Sequence, residues 1–122
     1  MSYKEALEAA GATVMAFAEF GSYQGEWYAM VKFKGTVGWV SGSYGSCSGC
    51  DAFESAFGYC DKDDDYDRRL KKFGLSYLEE LMSHQAAVNK AAANSEWDID
   101  ADAMVDFVVN NAKRVGQLVI PI

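Results

Sequence analysis

Hydrophobic positions in the first twenty residues recur at helical spacing. Tyr3, Leu7, Ala10, Val14 and Phe17 are separated by four, three, four and three residues, which places them on one stripe of an α-helix. Ser2 and Glu5 form a Ser-x-x-Glu capping box at its start, and Gly21 suits the left-handed conformation that closes a helix. The pattern predicts a helix over about 3–20, with Gly11 weakening its middle.

The period then changes to two. Trp27, Ala29, Val31 and Phe33 alternate with Tyr28, Met30, Lys32 and Lys34, as in a strand with two distinct faces. Lys34-Gly35 supplies a turn, and Val37 and Trp39 alternate with Gly38 and Val40 on the return. A β-hairpin is therefore expected at about 26–41.

Further along, helical signals return. Asp51 suits the N-cap of a short helix closed by Gly58. Aspartates followed by Arg68-Arg69-Leu70-Lys71-Lys72 and Gly74 fit the macrodipole of a helix over about 63–73. Ser76 and Glu79 form a second capping box, opening a helix over about 76–93. Asp100 caps a last helix over about 101–113 that buries Met104, Val105, Phe107 and Val108 and ends by Gly116. The tail from Gln117 reads as a short strand, with Pro121 suited to an edge or a strand end. The expected fold class is α+β: a small antiparallel sheet, hairpin plus short C-terminal strand, packed with about four helices.

Composition narrows the class. The 122 residues are half hydrophobic and contain one proline, which fits one folded domain with no linker. The formal net charge of −7 argues against direct nucleic-acid binding, because a phosphate polyanion requires a basic face. No apolar run approaches the roughly 18 residues of a membrane span. The opening MSYKEALEAA is charged and unlike a signal peptide, so a cytoplasmic protein with reduced thiols is expected.

Two segments carry unusual chemistry. In GSYGSCSGCDAF, residues 42–53, Cys47 and Cys50 have Cys-x-x-Cys spacing; Cys60 follows, and His84 is the single histidine. Together these four supply a Cys₃His donor set for zinc. A redox pair is a second reading, opposed by Asp51, whose carboxylate beside the motif disfavours a thiolate. A nest of backbone amides for an anion is a third, opposed by the same carboxylate and by the lack of Lys or Arg between Lys34 and Lys62. The fourth, which we favour, is a sharp glycine-permitted connection with the cysteines packed as small hydrophobes.

The second segment, DKDDDYD, places carboxylates at Asp61, Asp63, Asp64, Asp65 and Asp67. Counted as a calcium loop from Asp61, the glycine position holds Tyr66 and the final glutamate position holds Lys72, so the motif fails. Five aspartates exceed what a helix start needs, and the excess fits docking onto a basic surface of a partner protein. No nucleophile elbow or other catalytic signature emerges, so an enzyme is not expected.

The hairpin from Trp27 to Tyr44 resembles the W-Y-x-x-V-x-F-x-G-x-x-G-W-V hairpin of bacterial SH3 domains, though flanking helices do not fit a complete SH3 barrel. The Ser-Tyr-Gln-Gly stretch at 22–25, with the hairpin and the Tyr-Gly-Ser-Cys-Ser-Gly-Cys-Asp-Ala loop at 44–52, is similar to a family of small uncharacterised bacteriophage and prophage proteins. That resemblance implies an accessory protein in the cytoplasm of an infected bacterial host that binds and inhibits a defence or nucleic-acid-processing protein. A metal- or small-ligand-binding protein centred on residues 42–53 is the alternative.

Overall fold

The computed structural model describes residues 2–21, 25–45, 66–94 and 100–119, with the side chains of 2 and 115–119 left aside. Its elements are α1 (Ser2–Ala9), β1 (Thr13–Gly21), β2 (Gly25–Phe33), β3 (Thr36–Tyr44), α2 (Tyr66–Leu78), α3 (His84–Ala92) and α4 (Ala101–Val119). The class is α+β, with four helices and a three-stranded antiparallel sheet in the order β1-β2-β3.

The first expectation to fail is the helix over 3–20. Helix α1 stops after Ala9, and Gly11 takes φ 101°. The Ala12 amide donates to the Leu7 carbonyl at 3.1 Å and the Gly11 amide to Glu8 at 3.0 Å, the paired bonds of a Schellman C-cap. Gly11 is thus the terminator, and the chain reverses into β1. That strand mimicked a helical stripe because its register shifts between Val14 and Ala16. The bulge puts Met15 and Ala16 toward one core cluster, with Val14 and Phe17 toward the other. Two apolar residues three apart then share a face of a strand.

The hairpin forms as expected and runs further, each strand reaching nine residues. Lys34 at φ 52° and Gly35 at φ 80° make a turn with both central residues left-handed, whose twist matches the flanking strands. Continuous pairing joins Gly25↔Tyr44 through Phe33↔Thr36.

Strand β2 is the centre of the molecule, flanked by strands on both edges and helices on both faces. On one face Trp27, Ala29 and Val31 pack with Tyr3 and Leu7 of α1, Ala10 just beyond it, and Leu78 of α2. Trp27 stacks on Phe17 at 5.7 Å between ring centroids and meets Tyr3 at 5.1 Å and Tyr77 at 5.2 Å. On the other face Tyr28, Met30 and Trp39 pack with Ala87 and Ala91 of α3 and Met104 and Val108 of α4. Complete burial of an aliphatic or aromatic side chain stabilises by about 1.5–3 kcal/mol, so this double-sided strand dominates the core.

Helices expected over 63–73 and 76–93 are divided elsewhere. Helix α2 continues to Leu78, through Gly74 and Ser76. Gly74 lies in its buried face where α1 crosses, and a Cβ there would overlap the Ala6 carbonyl oxygen. The Ser76 hydroxyl donates back to the Phe73 carbonyl at 2.6 Å, so it caps nothing. The working cap is Ser83, whose side chain accepts from the Ala86 amide at 3.1 Å and opens α3.

Asp100 does cap α4, accepting from the Ala103 amide at 3.0 Å. The helix then runs to Val119 through Gly116, so the expected C-terminal strand is not formed at 117–119. A helix-interior glycine costs only about 1 kcal/mol, and the third place in the sheet is taken by β1. Residues 120–122, and the short helix expected after Asp51, lie outside the described residues. Among the described residues, no helix is long and apolar enough to cross a membrane.

Candidate functional site

Of the aspartates singled out, Asp67 is described: it is exposed in the first turn of α2, where a carboxylate favours the helix dipole. Asp61, Asp63, Asp64 and Asp65 lie outside the described residues, as do Cys47, Cys50 and Cys60. The chain leaves the sheet at the Gly25↔Tyr44 end and enters α2 at Tyr66, so these residues belong to the connection between those two points.

Charge is distributed unevenly along the chain. The described residues hold ten acidic and ten basic side chains, and so no formal net charge. The entire −7 arises from 46–65 and 95–99, where eight carboxylates stand against Lys62 alone. Five of those seven excess charges belong to 46–65, which contains six acids and that lysine.

His84, placed in the candidate zinc set, is the first residue of α3. Its Nδ1 accepts the buried indole N–H of Trp39 at 2.7 Å. An indole nitrogen only donates, so Nδ1 is unprotonated in this arrangement, and the other ring nitrogen is Nε2. Nearby, the Lys90 ammonium donates to Ser41 at 2.6 Å, a second polar tie between α3 and β3. The histidine thus helps to fasten a helix to the sheet. For the four-residue zinc set, Nε2 is the atom left to complete the tetrahedron, with thiolates from Cys47, Cys50 and Cys60. Among the described residues, no group of three or more His, Cys, Asp or Glu side chains is placed to hold a metal.

Three features escaped the sequence reading. An open groove of about 680 Å³ lies between the hairpin turn and the C-terminal end of α2, lined by Phe33, Leu75, Leu78 and Leu81 with Lys34, Glu79 and Glu80 at the polar positions. Glu79 had been assigned to a capping box; instead it follows the end of α2, where it opposes the dipole. The other two features are Trp27 Nε1 and the Tyr28 hydroxyl, both buried and with no hydrogen-bond partner among the described residues. Burial, and secondarily the nearby Glu26 carboxylate, push the Tyr28 phenol up to about 12. Period-two alternation identifies both side chains as strand residues, but only the packed helices show that each polar tip is sealed.

Comparison with family models, curated proteins and solved structures returns no match to this chain.

Proposed function

We propose that the chain is a protein-binding module that docks onto a basic surface of a partner through Asp61, Asp63, Asp64, Asp65 and Asp67. The observation that carries this reading is the separation of charge along the chain: the described residues are formally neutral, and the acidic surplus is concentrated in 46–65 and 95–99. A compact block of like charge steers encounter with an opposite surface and rejects like-charged ones. One cap and one first-turn carboxylate stabilise a helix start by about 0.5–2 kcal/mol; further aspartates repel one another and serve something outside the helix. In the setting implied by the phage-family resemblance, that partner is a host defence or nucleic-acid-processing protein whose basic groove the acidic segment occupies in place of nucleic acid.

The test is capture from bacterial lysate by immobilised protein, identified by mass spectrometry and repeated over a salt series. Replacing Asp63, Asp64 and Asp65 together with Asn should leave the melting temperature nearly unchanged and abolish capture of the salt-sensitive partner. If that capture survives the triple change and is lost when Cys47 and Cys50 become Ser in a folded protein, the loop at 42–53 is the functional site and the acidic reading fails.

A further inference from the structure

The two edges of the sheet are treated differently. At β3, Trp39 exchanges two 2.8 Å hydrogen bonds with Met82, and Leu81 lies over Gly38, so the segment between α2 and α3 closes that edge. At β1, the outer edge has no strand or bridge beside it among the described residues. Val14 to Ala18 are all half-buried, although helices lie over both faces of the sheet. An open edge is a template for another strand unless lysine, proline, shortness or a covering segment blocks it. Strand β1 is nine residues long, contains no Lys, Arg or Pro, and has Glu19 as its one charge. Its bulge is confined to Val14/Ala16, which leaves Ala16 to Gly21 in unbroken register with β2.

We propose that two copies of the chain associate through the outer edges of β1, about a two-fold axis at Ala18, to form a continuous six-stranded antiparallel sheet. The argument for a second copy is self-complementarity. A two-fold axis normal to the sheet pairs residues that share a face, so the axis must pass beside a residue and its own copy. An axis at Glu19 sets carboxylate against carboxylate. An axis at Phe17 sets ring against ring and reaches the bulge within one or two residues. An axis at Ala18 avoids both: Ala18 faces Ala18, Ala16 faces Phe20, and Glu19 faces Phe17. Phe20 then meets a small side chain across the new seam, no like charges are directly opposed, and the paired stretch coincides with the regular part of the strand. This inference is independent of the acidic segment and of any partner it binds.

Sedimentation velocity of the full-length protein over a wide concentration range tests it. The expected result is a reversible species of twice the 13.4 kDa chain mass. Ala18→Lys, which sets two ammonium groups together at the axis, should return the protein to monomer with an unchanged far-ultraviolet circular dichroism spectrum. If that variant fails to fold, Ala18→Cys decides. Under oxidised glutathione the introduced thiols should join across the axis, giving a linked pair of the tryptic peptide 5–32, which contains no native cysteine. A monomer at every concentration overturns the proposal. So does a dimer that persists in folded Ala18→Lys, or one in which that linked peptide pair never forms.

Discussion

Gly74→Ala separates two opposite expectations. Alanine in place of glycine inside a helix ordinarily stabilises by about 0.5–1 kcal/mol, because the unfolded chain loses less freedom on folding. Here the new Cβ would overlap the Ala6 carbonyl oxygen of α1 and stand 3.1 Å from the Ala10 Cβ. A backbone carbonyl within a helix cannot swing aside, so α1 and α2 must separate. That separation loosens a seam holding Tyr3, Ala6, Leu7, Ala10, Leu70 and Leu78, all buried. Overpacking of this kind costs about 1–3 kcal/mol, which outweighs the propensity gain. With the propensity gain subtracted the net loss is about 1–2 kcal/mol, and at roughly 4 °C per kcal/mol for a domain of this size the melting temperature should fall by about 4–8 °C. Urea and thermal unfolding followed by circular dichroism measure it directly. A variant as stable as the parent, or more so, would refute the close crossing of α1 and α2.

Other perturbations address the turn, the sealed phenol and the helix tie. Lys34→Asn keeps the left-handed turn and suits it better, so stability should rise by about 0.5 kcal/mol; a loss would mean that the Lys34 ammonium, 5.3 Å from the Phe33 ring centroid, outweighs turn strain. Tyr28 should remain protonated to about pH 12, seen as a late step in phenolate absorbance that disappears in Tyr28→Phe. Its folded pKa lies above the unfolded value of 10, so its contribution is intact below pH 10 and is lost as pH rises toward 12. A Tyr28 that ionises near pH 10 would contradict its burial. His84→Ala strands the Trp39 indole N–H and should destabilise by about 1–3 kcal/mol; in the parent, nitrogen NMR should find the neutral ring protonated at Nε2, and an Nδ1–H tautomer would break the assignment.

Legibility followed the range of the interactions. The hairpin was readable because its alternation and its Lys34-Gly35 turn are local, and both strands are buried enough to keep a clean period. Asp100 was readable as a cap for the same reason. Strand β1 was not, because a bulge converts period two into a spacing of three, and Gly11 was weighed as a flaw in a helix and not as its C-cap. The division between α2 and α3 was hidden by tertiary contact: Gly74 looks like a terminator until α1 is seen to cross over it. The groove beside Glu79 and Glu80 joins a hairpin turn to a helix end some forty residues away, a juxtaposition that no window along the chain contains. His84 was noticed for its type, and its bond to Trp39 spans 45 residues. The cysteines and most of the aspartates lie outside the described residues, so the chemistry that sequence alone singled out stands on the sequence still.

The same distribution of roles bears on how this protein tolerates change. Its stability resides in β2, whose side chains from Trp27 to Val31 are fully buried between two helical layers. Opposing charges cancel over the described scaffold, so long-range electrostatic self-repulsion contributes little there. The seven excess negative charges lie in 46–65 and 95–99, outside the described residues. Folding constrains the strands and the helix crossings tightly, down to single methyl groups at Gly38 and Gly74. The proposed acidic docking segment requires that its charge can change while this apolar sandwich stays fixed, and the unchanged melting temperature expected of the Asp63, Asp64 and Asp65 triple change is the direct measure of that requirement.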